Sequence, residues 1–195
     1  MLYWLAMNGR KVKTKDLLAI SDLSPSEIWD IINLTRALRG KKTDSLRGKV
    51  LALVFEKPSL RTRVSFEVAM NDLGGYTTYL SPAEIGIGKR EPIEDIAQVL
   101  SRYVDAISIR AFSHNTISEF AKYSDVPVIN ALSDVEHPCQ ALADLVTIMD
   151  KVGKLKGASV AFIGDGNNVA SSLCLAATSV GSKFTIASPS RYKLP

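Results

Sequence analysis

Val50-Leu-Ala-Leu-Val-Phe55 runs directly into Glu56-Lys57-Pro58-Ser59-Leu60-Arg61-Thr62-Arg63. The first six residues are apolar without interruption, the pattern of a short strand buried on both faces. Glu56 to Ser59 turns the chain. From about Thr62 a helix is expected through Phe66, Met70 and Leu73, stopping at Gly74-Gly75. A strand buried on both faces needs helices above and below it, so this junction points to a mainly parallel α/β sheet.

The same alternation continues on either side. Upstream, Ser24-Pro25-Ser26-Glu27 is a capping box with Pro at the first helical position, followed by an Ile28, Ile31, Ile32, Leu34/Leu38 stripe ending at Gly40. Downstream, strands are expected at Tyr76–Leu80, Ala106–Arg110 and Val126–Ala131, and helices at Pro92–Tyr103, Thr116–Tyr123 and Gln140–Lys151. Gly153-Lys-Leu-Lys-Gly157 reads as a linker. Beyond it come a strand at Val160–Ile163, a helix at Asn168–Val180 and a strand at Phe184–Ala187. The organisation expected is an N-terminal extension over residues 1–14, a four-stranded unit over 15–152, and the first βαβ unit of a second domain over 153–195. Two parallel strands cannot bury their own apolar surfaces, so the chain is expected to stop inside that second domain.

Composition sets the outer bounds. At 195 residues, 46% hydrophobic and 23% charged, the chain is in the range of folded globular proteins, and no apolar run reaches the length of a membrane span. The formal charge of +4 is uneven: residues 1–63 hold thirteen basic residues against six acidic, and the remainder holds an acidic excess. A basic front suits an anionic ligand, but it lacks the interleaved aromatics of a nucleic-acid surface. Cys139 and Cys174 stand 35 residues apart with only His114 and His137 to assist, which is neither a zinc cluster nor a disulfide scaffold. This usage fits a reducing cytosol, and both are read as buried small apolar residues. Residues 1–8 place apolar residues ahead of Arg10-Lys11-Val12-Lys13, the reverse of a secretory signal.

Three strand-to-helix turns could carry chemistry. At Ser59–Arg63 a helix N-terminus offers free N–H groups and partial positive charge to an oxyanion, with the Ser59 and Thr62 hydroxyls and a forked Arg beside it. Arg61 and Arg63 point about 200° apart on a helix, so at most one is expected to face an anion and the other to pair with a carboxylate. The plain alternative is a capped helix with exposed arginines. His137, held extended before Pro138, and Arg110, at a strand end, could both reach the carboxyl edge of the sheet, or be a cap and a surface residue. Ile163-Gly164-Asp165-Gly166-Asn167-Asn168-Val169 contains G-x-G but has Val169 where a dinucleotide fingerprint has its third Gly.

Together these segments resemble the aspartate/ornithine carbamoyltransferase family, and within it the ornithine branch. The family's Ser-Thr-Arg-Thr-Arg signature corresponds to Ser59-Leu60-Arg61-Thr62-Arg63, and its His-Pro-x-Gln signature to His137-Pro138-Cys139-Gln140. The resemblance runs from about Lys15 to Pro195 and implies a three-layer, parallel-sheet carbamoyl phosphate-binding domain followed by the start of a Rossmann-like α/β domain. It implies that Ser59, Leu60 (through its backbone), Arg61 and Thr62 hold the phosphate. Arg110, His137 and Gln140 would surround the carbamoyl group, with Arg110 and His137 catalytic, and Asn168 would contact ornithine. The implied reaction transfers the carbamoyl group of carbamoyl phosphate to L-ornithine, giving L-citrulline and phosphate. No metal or organic cofactor is called for. The expected setting is cytoplasmic, with a homotrimer or multiple of trimers and no nucleic-acid or membrane partner.

The sequence also departs from the family pattern. Leu60 replaces a Thr, and Gly86, in Pro82-Ala-Glu-Ile-Gly86-Ile-Gly88, falls where many relatives carry a Gln that reaches a neighbouring subunit. The family's later motifs, for the amino acid and for a Cys-Leu-Pro loop, would lie beyond residue 195. Three alternatives therefore stand beside the leading reading: an aspartate or other amine carbamoyltransferase, a carbamoyl phosphate-binding module without turnover, and an assembly fragment.

Overall fold

The computed structural model describes residues 14–87 and 91–194. The expected extension over residues 1–14 lies outside the described residues except for Thr14, and Gly88 and Pro195 also lie outside them. Chain order is α1 (Pro25–Leu38), β1 (Val50–Phe55), α2 (Leu60–Asp72), β2 (Tyr76–Leu80), α3 (Pro82–Ile85), α4 (Ile93–Leu100), β3 (Ala106–Arg110), α5 (His114–Tyr123), β4 (Val128–Leu132), α6 (Pro138–Val152), β5 (Ser159–Ile163), α7 (Asn168–Ser179) and β6 (Lys183–Ala187).

The first four strands form a parallel sheet in the order β2-β1-β3-β4. The apolar run 50–55 is therefore an interior strand, and its residues alternate between two cores. Leu51, Leu53 and Phe55 face a cluster with Leu46 and Met70 of α2. Ala52 and Val54 face Ile96 and Ala97 of α4, Ile107 and Ile109 of β3, and Ile117 and Phe120 of α5. Each such Leu, Ile or Phe contributes roughly 1.5–3 kcal/mol by leaving water. At the outer edge of β4, Leu17 accepts from the Asn130 N–H at 2.8 Å and donates to the Val128 carbonyl at 2.9 Å, extending the pairing by one bridge.

The strand order has one consequence for function. From β1 the chain moves to β2 on one side, then returns to place β3 on the other, so the order reverses between β1 and β3. The carboxyl ends of these two strands flank the crevice where open α/β sheets receive ligands.

β5 and β6 form a separate parallel pair joined by α7, as expected. Ile163 at the end of β5 is 85% exposed. A third core crosses the expected 152/153 boundary. It joins Ile28, Ile31 and Ile32 of α1, Leu145 and Val146 of α6, and Leu155, Ala176, Ala177 and Val180 of the second unit.

Several element ends differ from the sequence expectation. α2 begins at Leu60 rather than Thr62, and α5 at His114 rather than Thr116, because Ser59 and Ser113 take the N-cap positions. β4 begins at Val128, since Pro127 has no N–H to donate, and runs on to Leu132. α4 ends at Leu100. The helix α3 and the turn of 3-10 helix at Ile20–Asp22 were not expected. Ser81-Pro82-Ala83-Glu84 nevertheless repeats the Ser-Pro-x-Glu pattern of α1, and Glu84 accepts from the Ser81 N–H at 2.7 Å. Gly86 closes α3 with φ +52°, a left-handed cap that glycine adopts without steric cost.

Candidate functional site

The turn after β1 leaves the N-terminus of α2 open. In α1, α5 and α7 a polar side chain caps the helix. Ser24 accepts from Glu27 N–H, and Asn167 accepts from Val169 and Ala170 N–H. Ser59 occupies the N-cap of α2 but makes no side-chain bond to the helix backbone. Its hydroxyl instead donates to Thr62 Oγ1 at 2.9 Å. The first-turn N–H groups of α2 therefore face outward with no cap across them.

β3 brings a second donor to this point. Phe55 at the end of β1 pairs with Arg110 at the end of β3, and Glu56 N–H donates to the Arg110 carbonyl at 2.8 Å. The β3–β4 register shifts here: Ile109 pairs with Asn130 but Arg110 with Leu132, so β4 carries one extra residue, Ala131. Such a bulge at a strand end re-aims a side chain. Arg110 Nη1 makes a long contact, 3.4 Å, with Thr62 Oγ1, and the buried Nε has no partner. Thr62 thus accepts from Ser59 and Arg110 and keeps its own hydroxyl proton to donate.

His137 completes the arrangement. It is the N-cap residue of α6, at φ −135° and ψ 68°, and its buried Nδ1 has no hydrogen-bond partner. Burial and then the positive charge of Arg110 bring its pKa down to about 4. Burial and then Arg61 lower that of Arg110. His137 thus feels the charge of Arg110, and Arg110 that of Arg61. Among the described residues no carboxylate forms an ion pair with Arg61 or Arg110. Arg63 behaves as the helical geometry requires, turned away to Glu67 at 2.8 Å and stacked 3.8 Å from the Tyr79 ring centre. Lys57 lies over the Phe112 ring.

Thus hydroxyls, N–H groups and guanidinium groups converge on one crevice, and among the described residues no carboxylate is ion-paired with its two arginines. Such a donor-rich, cationic surface suits a dianionic oxyanion group. A neutral His137 offers a ring N–H rather than a full charge.

Two candidate residues are engaged elsewhere. Gln140 is exposed, and its amide nitrogen donates to Asp144 Oδ1 at 2.9 Å. Asn168 lies on α7 and donates to the Ser133 carbonyl at 2.5 Å. The start of α7, where a pyrophosphate would sit in a dinucleotide fold, is occupied by the Asn167 cap. Gly166 lies so close to Lys193 and Leu194 that a Cβ would collide with their backbone. Neither cysteine is buried as a whole residue, contrary to expectation. The Cys139 thiol is enclosed, and burial pushes it up to about 12.

The sequence reading missed the hub at Ser133 and the residues that hold His137 from behind. Ser133 Oγ accepts from Val135 and Glu136 N–H and meets His114 Nδ1 at 2.9 Å. Ser172 of α7 accepts from the His137 N–H at 2.8 Å. A serine within an otherwise apolar helix stripe carries no signal that separates it from core.

Residues 15–150 match the family domain described as "Aspartate/ornithine carbamoyltransferase, carbamoyl-P binding domain". Among curated relatives, an ornithine carbamoyltransferase of Pyrococcus abyssi is 50% identical over 93% of this chain and 59% of its own length. One of Archaeoglobus fulgidus is 51% identical over 91% of this chain and 60% of its own. The solved ornithine carbamoyltransferase of Pyrococcus furiosus superposes with a TM-score of 0.90 at 48% identity, covering 93% of this chain and 59% of that one. The catalytic subunit of M. Jannaschii aspartate transcarbamoylase gives a TM-score of 0.83 at 35% identity, covering 93% of this chain and 63% of that one. The chain thus spans about 60% of the length of these relatives.

Proposed function

Because this chain belongs to the aspartate/ornithine carbamoyltransferase family, we propose that residues 15–152 form a carbamoyl phosphate-binding domain serving carbamoyl transfer to L-ornithine. The observation that carries this reading is the uncapped N-terminus of α2 beside the unpartnered Arg110 Nε and His137 Nδ1. Ser59, Arg61, Thr62 and the Leu60 N–H take the phosphate oxygens. Arg110 and the neutral ring of His137 donate to the carbamoyl oxygen, with Gln140 near the carbamoyl nitrogen once its amide leaves Asp144.

In this reading an uncharged amine attacks the carbamoyl carbon. The C–N bond forms, negative charge gathers on the carbonyl oxygen between Arg110 and His137, and the C–O bond to phosphate breaks. Phosphate leaves with the electron pair and the amine proton reaches it, balancing citrulline and hydrogen phosphate as products. Arg61 and Arg110 offset the charge growing on the leaving group, and holding both reactants in line supplies much of the remaining rate. These steps need no metal or organic cofactor.

Residues 153–195 supply the beginning of the amino-acid side, with Asn168 as the contact to ornithine. Ornithine is favoured over aspartate by the higher identity to ornithine enzymes than to the aspartate transcarbamoylase. Assembly as a trimer is part of the same proposal. Val64 and Val68 on the outer face of α2, 45% and 52% exposed, are apolar surface available to a neighbouring copy. The test is citrulline formation from carbamoyl phosphate and ornithine by this chain at high protein concentration. Turnover supports the full reading; carbamoyl phosphate binding without turnover restricts the chain to the binding module.

A further inference from the structure

We infer that Ser172 and Glu136 form a positioning pair through which α7 fixes His137 at the crevice, although α7 lends no group to the phosphate cradle. This rests on the reading that His137 faces the carbamoyl group. As N-cap of α6, His137 does not need its own N–H for the helix, and that N–H donates to Ser172 Oγ at 2.8 Å. Ser172 is fully buried, and its hydroxyl donates in turn to Glu136 Oε2 at 2.7 Å.

The direction of these bonds is set by chemistry. A carboxylate oxygen can only accept, so the Ser172 proton is committed to Glu136 and a lone pair is turned towards His137. Glu136 is itself 6% exposed, and the same Oε2 accepts from the Ile20 N–H at 3.2 Å. The neighbouring peptide is pinned as well, since Glu136 N–H donates to Ser133 Oγ and its carbonyl accepts from Ser133 N–H at 3.0 Å. With the peptides on its N-terminal side fixed and Pro138 restricting it on the other, His137 has little freedom beyond its own side-chain rotation. A buried carboxylate with two hydrogen bonds is costly to retain merely for packing, whereas it sets the polarity of a relay that no apolar residue could replace. Ser172 is thus a positioning residue acting through His137.

The test uses the 195-residue chain and its Ser172→Ala variant. The chain has two histidines, so the His137 ring resonance is assigned by comparison with a His114→Gln variant. Removing the acceptor is expected to speed hydrogen exchange of the His137 amide about tenfold or more, with Ile107 and Ile109 amides of the sheet unchanged. It is also expected to move the His137 ring titration up from about 4 towards its ordinary range. Affinity for inorganic phosphate, which needs only the cradle, stays within about twofold, while the preference for carbamoyl phosphate over phosphate falls about tenfold. If Ser172→Ala does not fold, Glu136→Gln, which keeps side-chain volume, is measured for the same three quantities with the same direction expected. An unchanged His137 amide and ring overturn the positioning role whatever the ligand does. A shifted ring with no carbamoyl phosphate preference even in the parent chain keeps the relay and overturns the placement of His137 at the carbamoyl group.

Discussion

Arg110 reaches from the end of β3 to the Thr62 hydroxyl in the first turn of α2, at 3.4 Å. The contact is long for an N–H···O bond, so it orients the guanidinium without consuming it. Sequence separation of 48 residues disappears because β1 and β3 are hydrogen-bonded neighbours, with Phe55 opposite Arg110. The crevice between these strands gathers donors from three turns and leaves Arg110 Nε and His137 Nδ1 without a partner.

Leu60 is the first helical residue of α2, and its side chain is 77% exposed. If its contribution is the N–H alone, Leu60→Thr or Leu60→Ala changes carbamoyl phosphate affinity by less than about twofold. Leu60→Pro removes the N–H at a position where proline fits a helix, and Ser59 before it is already extended, at φ −157° and ψ 112°. The proline variant is expected to keep its melting temperature and to lose affinity about tenfold or more, since hydrogen bonds to charged groups are worth roughly 1.5–3 kcal/mol. Calorimetric titration of both variants checks this.

His137 gives a pH dependence of stability. Its pKa in the fold is about 4, below the ordinary 6.5, so the unfolded chain takes up the proton first as pH falls. The stabilisation linked to neutral His137 is therefore complete above pH 6.5 and is lost progressively towards pH 4. Relative to His137→Asn, the parent chain should lose on the order of 1–2 kcal/mol across that window, the figure being reduced for partial solvent screening. Denaturant unfolding of the pair at several pH values reads the difference, and other titrating groups cancel. Parallel curves for the two proteins would contradict the buried, neutral ring.

Leu145 is fully buried in the core shared by α1, α6 and the second unit. Leu145→Ala is expected to cost about 2–5 kcal/mol. Because that core crosses residue 152, the variant should lower one common transition seen by probes in both units. Separate transitions, with only one displaced, would show that 15–152 and 153–195 are independent in stability.

The alternation of strands and helices was plain in the sequence because Val50–Phe55, Ala106–Arg110 and Tyr76–Leu80 are short apolar or β-branched runs bounded by turns. Arg63 could be separated from Arg61 by helical angle alone. What could not be read were relations that depend on tertiary pairing. The extra residue Ala131, which re-aims the end of β3, follows from strand register and leaves no local pattern. The absence of a cap at Ser59 could not be seen either, since Ser is itself a good N-cap; its hydroxyl turns to Thr62 only in the folded turn. Gln140 and Asn168 were legible as residue types, but their present partners, Asp144 and the Ser133 carbonyl, depend on the neighbouring turn of α6 and on the docking of α7.

The assignment of this crevice is tested most directly by titrating this chain with carbamoyl phosphate in a calorimeter, alongside Arg61→Ala. The expected result is saturable binding that weakens in the variant by on the order of 10- to 150-fold, the equivalent of losing one charge-assisted pair. No binding by the parent chain, or equal affinity in the two proteins, would contradict the assignment of this crevice to carbamoyl phosphate.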